Sequence, residues 1–182
     1  HSAQDILDCY AEARAAGHDD INMDLIAGLT GDTAETFAQT VDTLLNLSPE
    51  NITVHTLAIK RGADLTDKAA AAAQRETVSQ MLDGAAHALQ NAGYGPYYLY
   101  RQKNMSGNFE NVGYAKPEKA GIYNILIMEE VQSIMALGAG TISKRVYGDG
   151  RIERCDNVKD VGQYIERIDE MIERKQKLFA EE

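Results

Sequence analysis

Residues 21 to 33, INMDLIAGLTGDT, set one carboxylate, Asp24, in an alternating apolar stretch that runs into a turn holding Gly28 and Gly31. Ile21, Met23 and Leu25 alternate with Asn22, Asp24 and Ile26, the period of a strand with one apolar face. A strand buried on both faces in a parallel sheet reads as nearly continuous Val, Ile and Leu, so a carboxylate at that depth needs a partner. A ligand is one candidate; a neighbouring turn or an arginine is the other. Lys60, Arg61, Arg101 and Lys103 place four cations just after two later strands, a set that suits a substrate with several carboxylates and suits plain solvation equally. Tyr94, Tyr97, Tyr98 and Tyr100 could line a pocket for a flat ring or simply pack around a sheet. His55, beside Val54, reads first as a hydrogen-bonded interior histidine. Gly28 and Gly31 could cradle a phosphate, but no G-K-S/T follows, and a tight turn accounts for them better.

The elements that must carry these residues follow from periodicity. Ser2 with Asp5 has the form of a capped helix start, and Ile6, Tyr10 and Ala13 recur at helical spacing until Gly17. A helix ahead of the first strand leaves that strand without a partner, so a preceding segment is expected to have been removed. Thr33 caps a second helix with Phe37, Val41, Leu44 and Leu45 on one side, ended by Ser48 and Pro49. NITVHTLAI, 51 to 59, alternates as a strand; Thr66 to Asn91 predicts a helix striped with Val78, Met81, Leu82, Ala85 and Leu89; PYYLY, 96 to 100, suits a strand. This β-α-β-α-β series predicts a parallel sheet or barrel, whose active face is built from strand ends and the loops after them. Asp24, the glycine turn, residues 58 to 61 and the stretch 101 to 121, read as a long loop, should therefore converge. Beyond it come a G-A-G turn at 138 to 140, a strand from Thr141 to Tyr147, and a GDG turn into Ile152 to Cys155. One charged helix from about Val158 to Ala180 is predicted to turn Val161, Tyr164, Ile165, Ile168, Met171, Ile172 and Phe179 inward.

Composition narrows the classes. With 18 Lys and Arg against 28 Asp and Glu, the net charge of -10 argues against a nucleic-acid surface, which needs clustered cations. The apolar runs are too short for a membrane span, and the first residues lack a signal peptide's basic start and apolar stretch, so no membrane partner and a cytoplasmic location are expected. Cys9 and Cys155 form neither a disulfide framework nor a local metal motif, and both read as buried structural thiols.

The stretch INMDLIAGLTGDTAETFAQTVDTLLNLSPENITVHTLAIKRG closely resembles the middle of the radical S-adenosylmethionine enzymes of the oxygen-independent coproporphyrinogen III oxidase family. There a D-L-I-x-G-L-P-G-Q/E-T signature precedes a helix and a strand reading x-P-D/E-x-I-S/T-V; Thr30 stands here at the family's usual proline. GYGPYYLYRQKNMSGNFENVGYAKP and IMALGAGTISK resemble the bacterial coproporphyrinogen dehydrogenase branch, so the likeness spans nearly the whole chain.

The resemblance implies an α/β fold, the C-terminal half of a partial (β/α)6 TIM-like barrel with a C-terminal extension. Residues 1–100 would form its βα units, and 101–182 an active-site loop, terminal strands and final helix. It implies that Asp24, Ala58 and Ile142 line the S-adenosylmethionine pocket. The family's C-x-x-x-C-x-x-C ligands for a 4Fe-4S cluster do not occur here, and its arginine before the first helix would lie just upstream of His1, so both are expected in a missing N-terminal half. That half, or a second copy in a homo-oligomer, would cover the open sheet edge. The implied parent activity is oxidative decarboxylation of coproporphyrinogen III propionates to vinyl groups in haem biosynthesis. Lys60, Arg61, Arg101 and Lys103, from their charge and their place after two strands rather than from the resemblance, are expected to contact the tetrapyrrole's propionates. This piece alone is expected to be inactive. The alternative is a haem-binding and trafficking relative with the same barrel.

Overall fold

Leu25 and Ala27 on one strand and Ile52 and Val54 on the next are buried, while the residues between them lie on the opposite face, and this alternation builds the sheet. The computed structural model describes residues 2–57, 75–100 and 109–180, which fall into two units, His1–Ile122 and Tyr123–Glu182.

In the first unit, Ser2 caps α1 (Ala3–Ala15): its hydroxyl accepts from the Asp5 amide and its own amide donates to the Asp5 carboxylate. α1 buries no residue, and Cys9 on it is exposed. The expectation of two buried thiols therefore fails, because a helix with so weak an apolar stripe has no face to hide a thiol on. Tyr10 and Arg14 tie it down: Tyr10 donates to the Leu47 carbonyl, and the Arg14 guanidinium reaches Glu50 at 2.7 Å.

β1 (Asn22–Ala27), α2 (Ala34–Leu47), β2 (Asn51–Thr56), α3 (Arg75–Asn91), β3 (Gly95–Tyr100) and β4 (Asn111–Ala115) follow in order. Thr33 caps α2 as its sequence predicts, and Ser48 ends it in the left-handed region at φ 58°. The start expected for the third helix at Thr66 lies outside the described residues. Phe37, Val41 and Leu44 of α2 and Met81, Ala85 and Leu89 of α3 pack with Leu25, Ala27, Ile52, Val54 and Tyr114 into one core on one face of the sheet.

The strand order is β1-β2-β4-β3, with β1 parallel to β2 but β4 antiparallel to both its neighbours. Two expectations are corrected. The sheet is mixed, and residues 111–115, read as loop, are a strand between β2 and β3. Asn111-Val-Gly-Tyr-Ala hides its alternation because Gly113 sits where a neighbour's ring requires a bare backbone and Asn111 is buried to receive the Thr56 amide at 2.8 Å. Among the described residues β1 pairs with β2 alone.

α4 (Ile122–Met128) leads into the second unit, where β5 (Ile142–Val146) and β6 (Ile152–Asp156) form the expected hairpin. The final helix is two helices, α5 (Val161–Glu166) and α6 (Ile168–Phe179), broken at Arg167. Met171, Lys175 and Leu178 are the buried residues of α6, while Val161, Ile165 and Ile172, expected inward, are exposed. Ile168, also expected inward, is exposed as well, so the apolar stripe Val161, Ile165, Ile168 and Ile172 faces out across the break, and the face that α6 buries is the one carrying Met171, Lys175 and Leu178. Among the described residues no helix is long and apolar enough to cross a membrane.

Candidate functional site

The face of the first unit's sheet opposite the helices is polar, because three strands each place a polar pair at i, i+2 on it. β1 contributes Asn22 and Asp24, β2 contributes Thr53 and His55, and β3 contributes Tyr98 and Tyr100. Asp24 pairs in register with Thr53 and lies diagonal to His55, within side-chain reach across the two strands.

Asp24 is less enclosed than its strand suggested. Its side chain is 59% exposed, since among the described residues β1 is an edge strand and the helices pack on the opposite face of the sheet. Its two oxygens are nevertheless engaged: Oδ1 accepts from Asn22 Nδ2 at 2.7 Å, and Oδ2 lies 3.6 Å from His55 Nε2. The His55 contact, with Asn22 adding to it and burial opposing, holds the Asp24 carboxyl below its ordinary range.

An ionised carboxylate only accepts, and this orders the whole network. His55 therefore turns a protonated Nε2 toward Asp24, and in the neutral ring Nδ1 accepts from the Tyr100 hydroxyl at 3.2 Å. Asn22, donating through its amide nitrogen, accepts at Oδ1 from Thr53 Oγ1 at 3.0 Å. With the Thr53 proton so committed, the Tyr98 hydroxyl is the donor across the 3.3 Å contact to Thr53. Two chains of donors, Tyr98 to Thr53 to Asn22 and Tyr100 to His55, end on the same carboxylate.

The tyrosines are held by stacking. Tyr98 and Tyr100 lie parallel, 3° apart in plane with centroids at 6.2 Å, and Tyr97 meets Tyr98 edge-on at 4.8 Å. A Cβ on Gly113 would fall 1.9 Å from Tyr98 Cε1, so the glycine of β4 is the floor on which this ring rests. Beyond β1, Gly28 adopts φ 89°, and a Cβ there would approach Val78 Cγ2 to 2.8 Å. Backbone conformation and the close approach of α3 account for that glycine as part of a tight turn.

Ile142, the third residue expected at the cofactor, begins β5 in the second unit and is 53% exposed. The turn before it is clamped from several sides. Asn157 Nδ2 donates to the Gly138 carbonyl at 2.8 Å, the Gly140 amide donates to the Val158 carbonyl at 2.8 Å, and the Gly138 amide donates to the Tyr164 hydroxyl. The buried ammonium of Lys175 donates to Asn157 Oδ1 at 2.6 Å. Ala58, Lys60, Arg61, Arg101 and Lys103 lie outside the described residues.

The exposed Asp24 carboxylate, fixed on both sides, is suited to accept from an ammonium or hydroxyl donor of a ligand. Reading each strand separately gave Asp24, a hydrogen-bonded His55 and a tyrosine set holding Tyr98 and Tyr100, but did not join them to one another or to Thr53 and Asn22. The signal that could have found them is the repeat of polar i, i+2 pairs on three neighbouring strands.

No family model matches the chain. Over 184 aligned positions it is 43% identical to the oxygen-independent coproporphyrinogen-III oxidase-like protein HemZ of Bacillus subtilis (strain 168), an alignment that takes in 100% of this chain and 37% of that protein. A solved structure described as "Coproporphyrinogen III oxidase (HemN) from Escherichia coli is a Radical SAM enzyme" matches 93% of this chain and 38% of its own, with a TM-score of 0.60 and 21% identity, a likeness of fold. The chain thus spans little more than a third of the length of either protein.

Proposed function

We propose, from the chain's place in the oxygen-independent coproporphyrinogen III oxidase family, that it forms one side of the S-adenosylmethionine pocket in a barrel enzyme of haem biosynthesis. Asp24, Ala58 and Ile142 hold that cofactor, which supplies the radical chemistry of the reaction when bound. Lys60, Arg61, Arg101 and Lys103 contact the propionates of coproporphyrinogen III or a related tetrapyrrole, which the enzyme oxidatively decarboxylates to vinyl groups. Cys9 and Cys155 do not fit a 4Fe-4S cluster, which needs three closely spaced thiolates, so its ligands are assigned to residues outside this chain. The edge of β1 is covered by those residues or by a second copy.

The observation that carries the reading is the Asp24 carboxylate, exposed yet held ionised by His55 and Asn22. It offers a preset acceptor to a cationic, hydroxyl-bearing ligand. The haem-carrier reading gains nothing from His55, both of whose ring nitrogens already face partners. Isothermal titration of the full-length protein with S-adenosylmethionine, beside an Asp24→Asn variant, tests the proposal. The variant should bind about tenfold more weakly or worse, the effect of removing a hydrogen bond to a charged group; equal affinity would reject it.

A further inference from the structure

We infer that His55 is the positioning residue of the Asp24 carboxylate and that Tyr100 sets the ring that does the positioning. The inference rests on the reading of Asp24 as a cofactor ligand and adds two residues that neither the sequence resemblance nor the relatives' names assign to any site.

The argument starts from exposure. A carboxylate that is 59% exposed on an edge strand has no packing to fix its χ1 and χ2, and a freely rotating acceptor binds a ligand at the cost of its own ordering. His55 supplies the missing constraint. Its ring is 24% exposed, stands on the stiff central strand β2, and points Nε2 at Asp24 Oδ2. A neutral imidazole can do this only in one tautomer, and the Tyr100 hydroxyl on Nδ1 selects that tautomer by donating to the nitrogen that must stay bare. Tyr100 is in turn held flat by its stack on Tyr98, which rests on Gly113. The line from Gly113 through Tyr98, Tyr100 and His55 therefore draws on four strands and ends at the exposed carboxylate of Asp24. Asn22 holds the other oxygen, so the lone pairs left over point in a fixed direction.

Three variants of the full-length protein, titrated with S-adenosylmethionine, test this. His55→Leu removes the ring that faces Asp24 Oδ2 at 3.6 Å and should weaken binding about threefold to tenfold, the cost of ordering one freed side chain on binding. His55→Gln keeps an N–H at the Nε2 position and should restore most of that loss, a rescue that a purely structural role would not show. Tyr100→Phe keeps the ring and its stack but removes the hydroxyl. It should shift the His55 ring nitrogens, read by ¹⁵N NMR, away from the Nε2–H form expected in the parent. Wild-type affinity in His55→Leu, with binding lost in Asp24→Asn, overturns the positioning role and leaves the cofactor reading standing. So does an Nδ1–H tautomer in the parent protein. Unchanged affinity in Asp24→Asn defeats the cofactor reading itself, and this inference with it.

Discussion

Asp24 and His55 each drew an incomplete expectation because a residue's chemistry is set by what stands across the sheet from it. Asp24 was expected to need a partner because it would be deeply enclosed; it is half in solvent and has two. The consequence can be measured in acid. Its carboxyl lies below its ordinary range chiefly through His55, so its ionised form stabilises the folded chain above the ordinary carboxylate value, about 3.9, and that contribution disappears as the pH falls through the lowered folded-state value. Solvent screening keeps the effect small. Urea midpoints compared at pH 7 and pH 3 should therefore fall further for the wild type than for Asp24→Asn; equal falls would show that Asp24 is not held ionised by its neighbours.

At the scale of elements, polar clamps decide as much as apolar stripes. The turn that presents Ile142 is tied by Asn157, and Asn157 is tied by Lys175, whose ammonium is buried in α6 where the helical period called only for apolar residues. Lys175→Met keeps the aliphatic length but leaves Asn157 Oδ1 without its buried donor. The expected cost is about 1–3 kcal/mol, read as a lowered thermal midpoint. The Gly140 amide, bonded to Val158, should exchange its hydrogen faster in that variant. Wild-type stability and exchange would show that the buried lysine is incidental to the turn. The break at Arg167 belongs here too. A charged sequence with apolar residues spread around its circumference fits one helix or two, and only packing on the β5–β6 hairpin, where Arg145 reaches the Leu178 carbonyl, selects the division.

Across the whole molecule, stability is unevenly placed. In the first unit the core lies between the sheet and helices α2 and α3, with Leu89 fully enclosed, whereas α1 buries nothing and is held by Tyr10, Arg14 and Glu50. Leu89→Ala should cost about 2–5 kcal/mol in denaturant unfolding. Arg14→Met should cost about 1 kcal/mol. The reverse ranking would mean that α1 is integral to the fold. What the sequence by itself determined is local or inherited. The caps at Ser2 and Thr33, the stripes of α2 and α3, the apolar face of β1, the β5–β6 hairpin and the likeness to the coproporphyrinogen oxidase family are written in neighbouring residues and their spacing. Only the tertiary structure decided that residues 111–115 enter the sheet antiparallel between β2 and β3, that Gly113 makes room for Tyr98, and that Tyr100 reaches His55. Each of these depends on partners dozens of positions apart, and periodicity within one segment carries no record of which distant strand closes beside it.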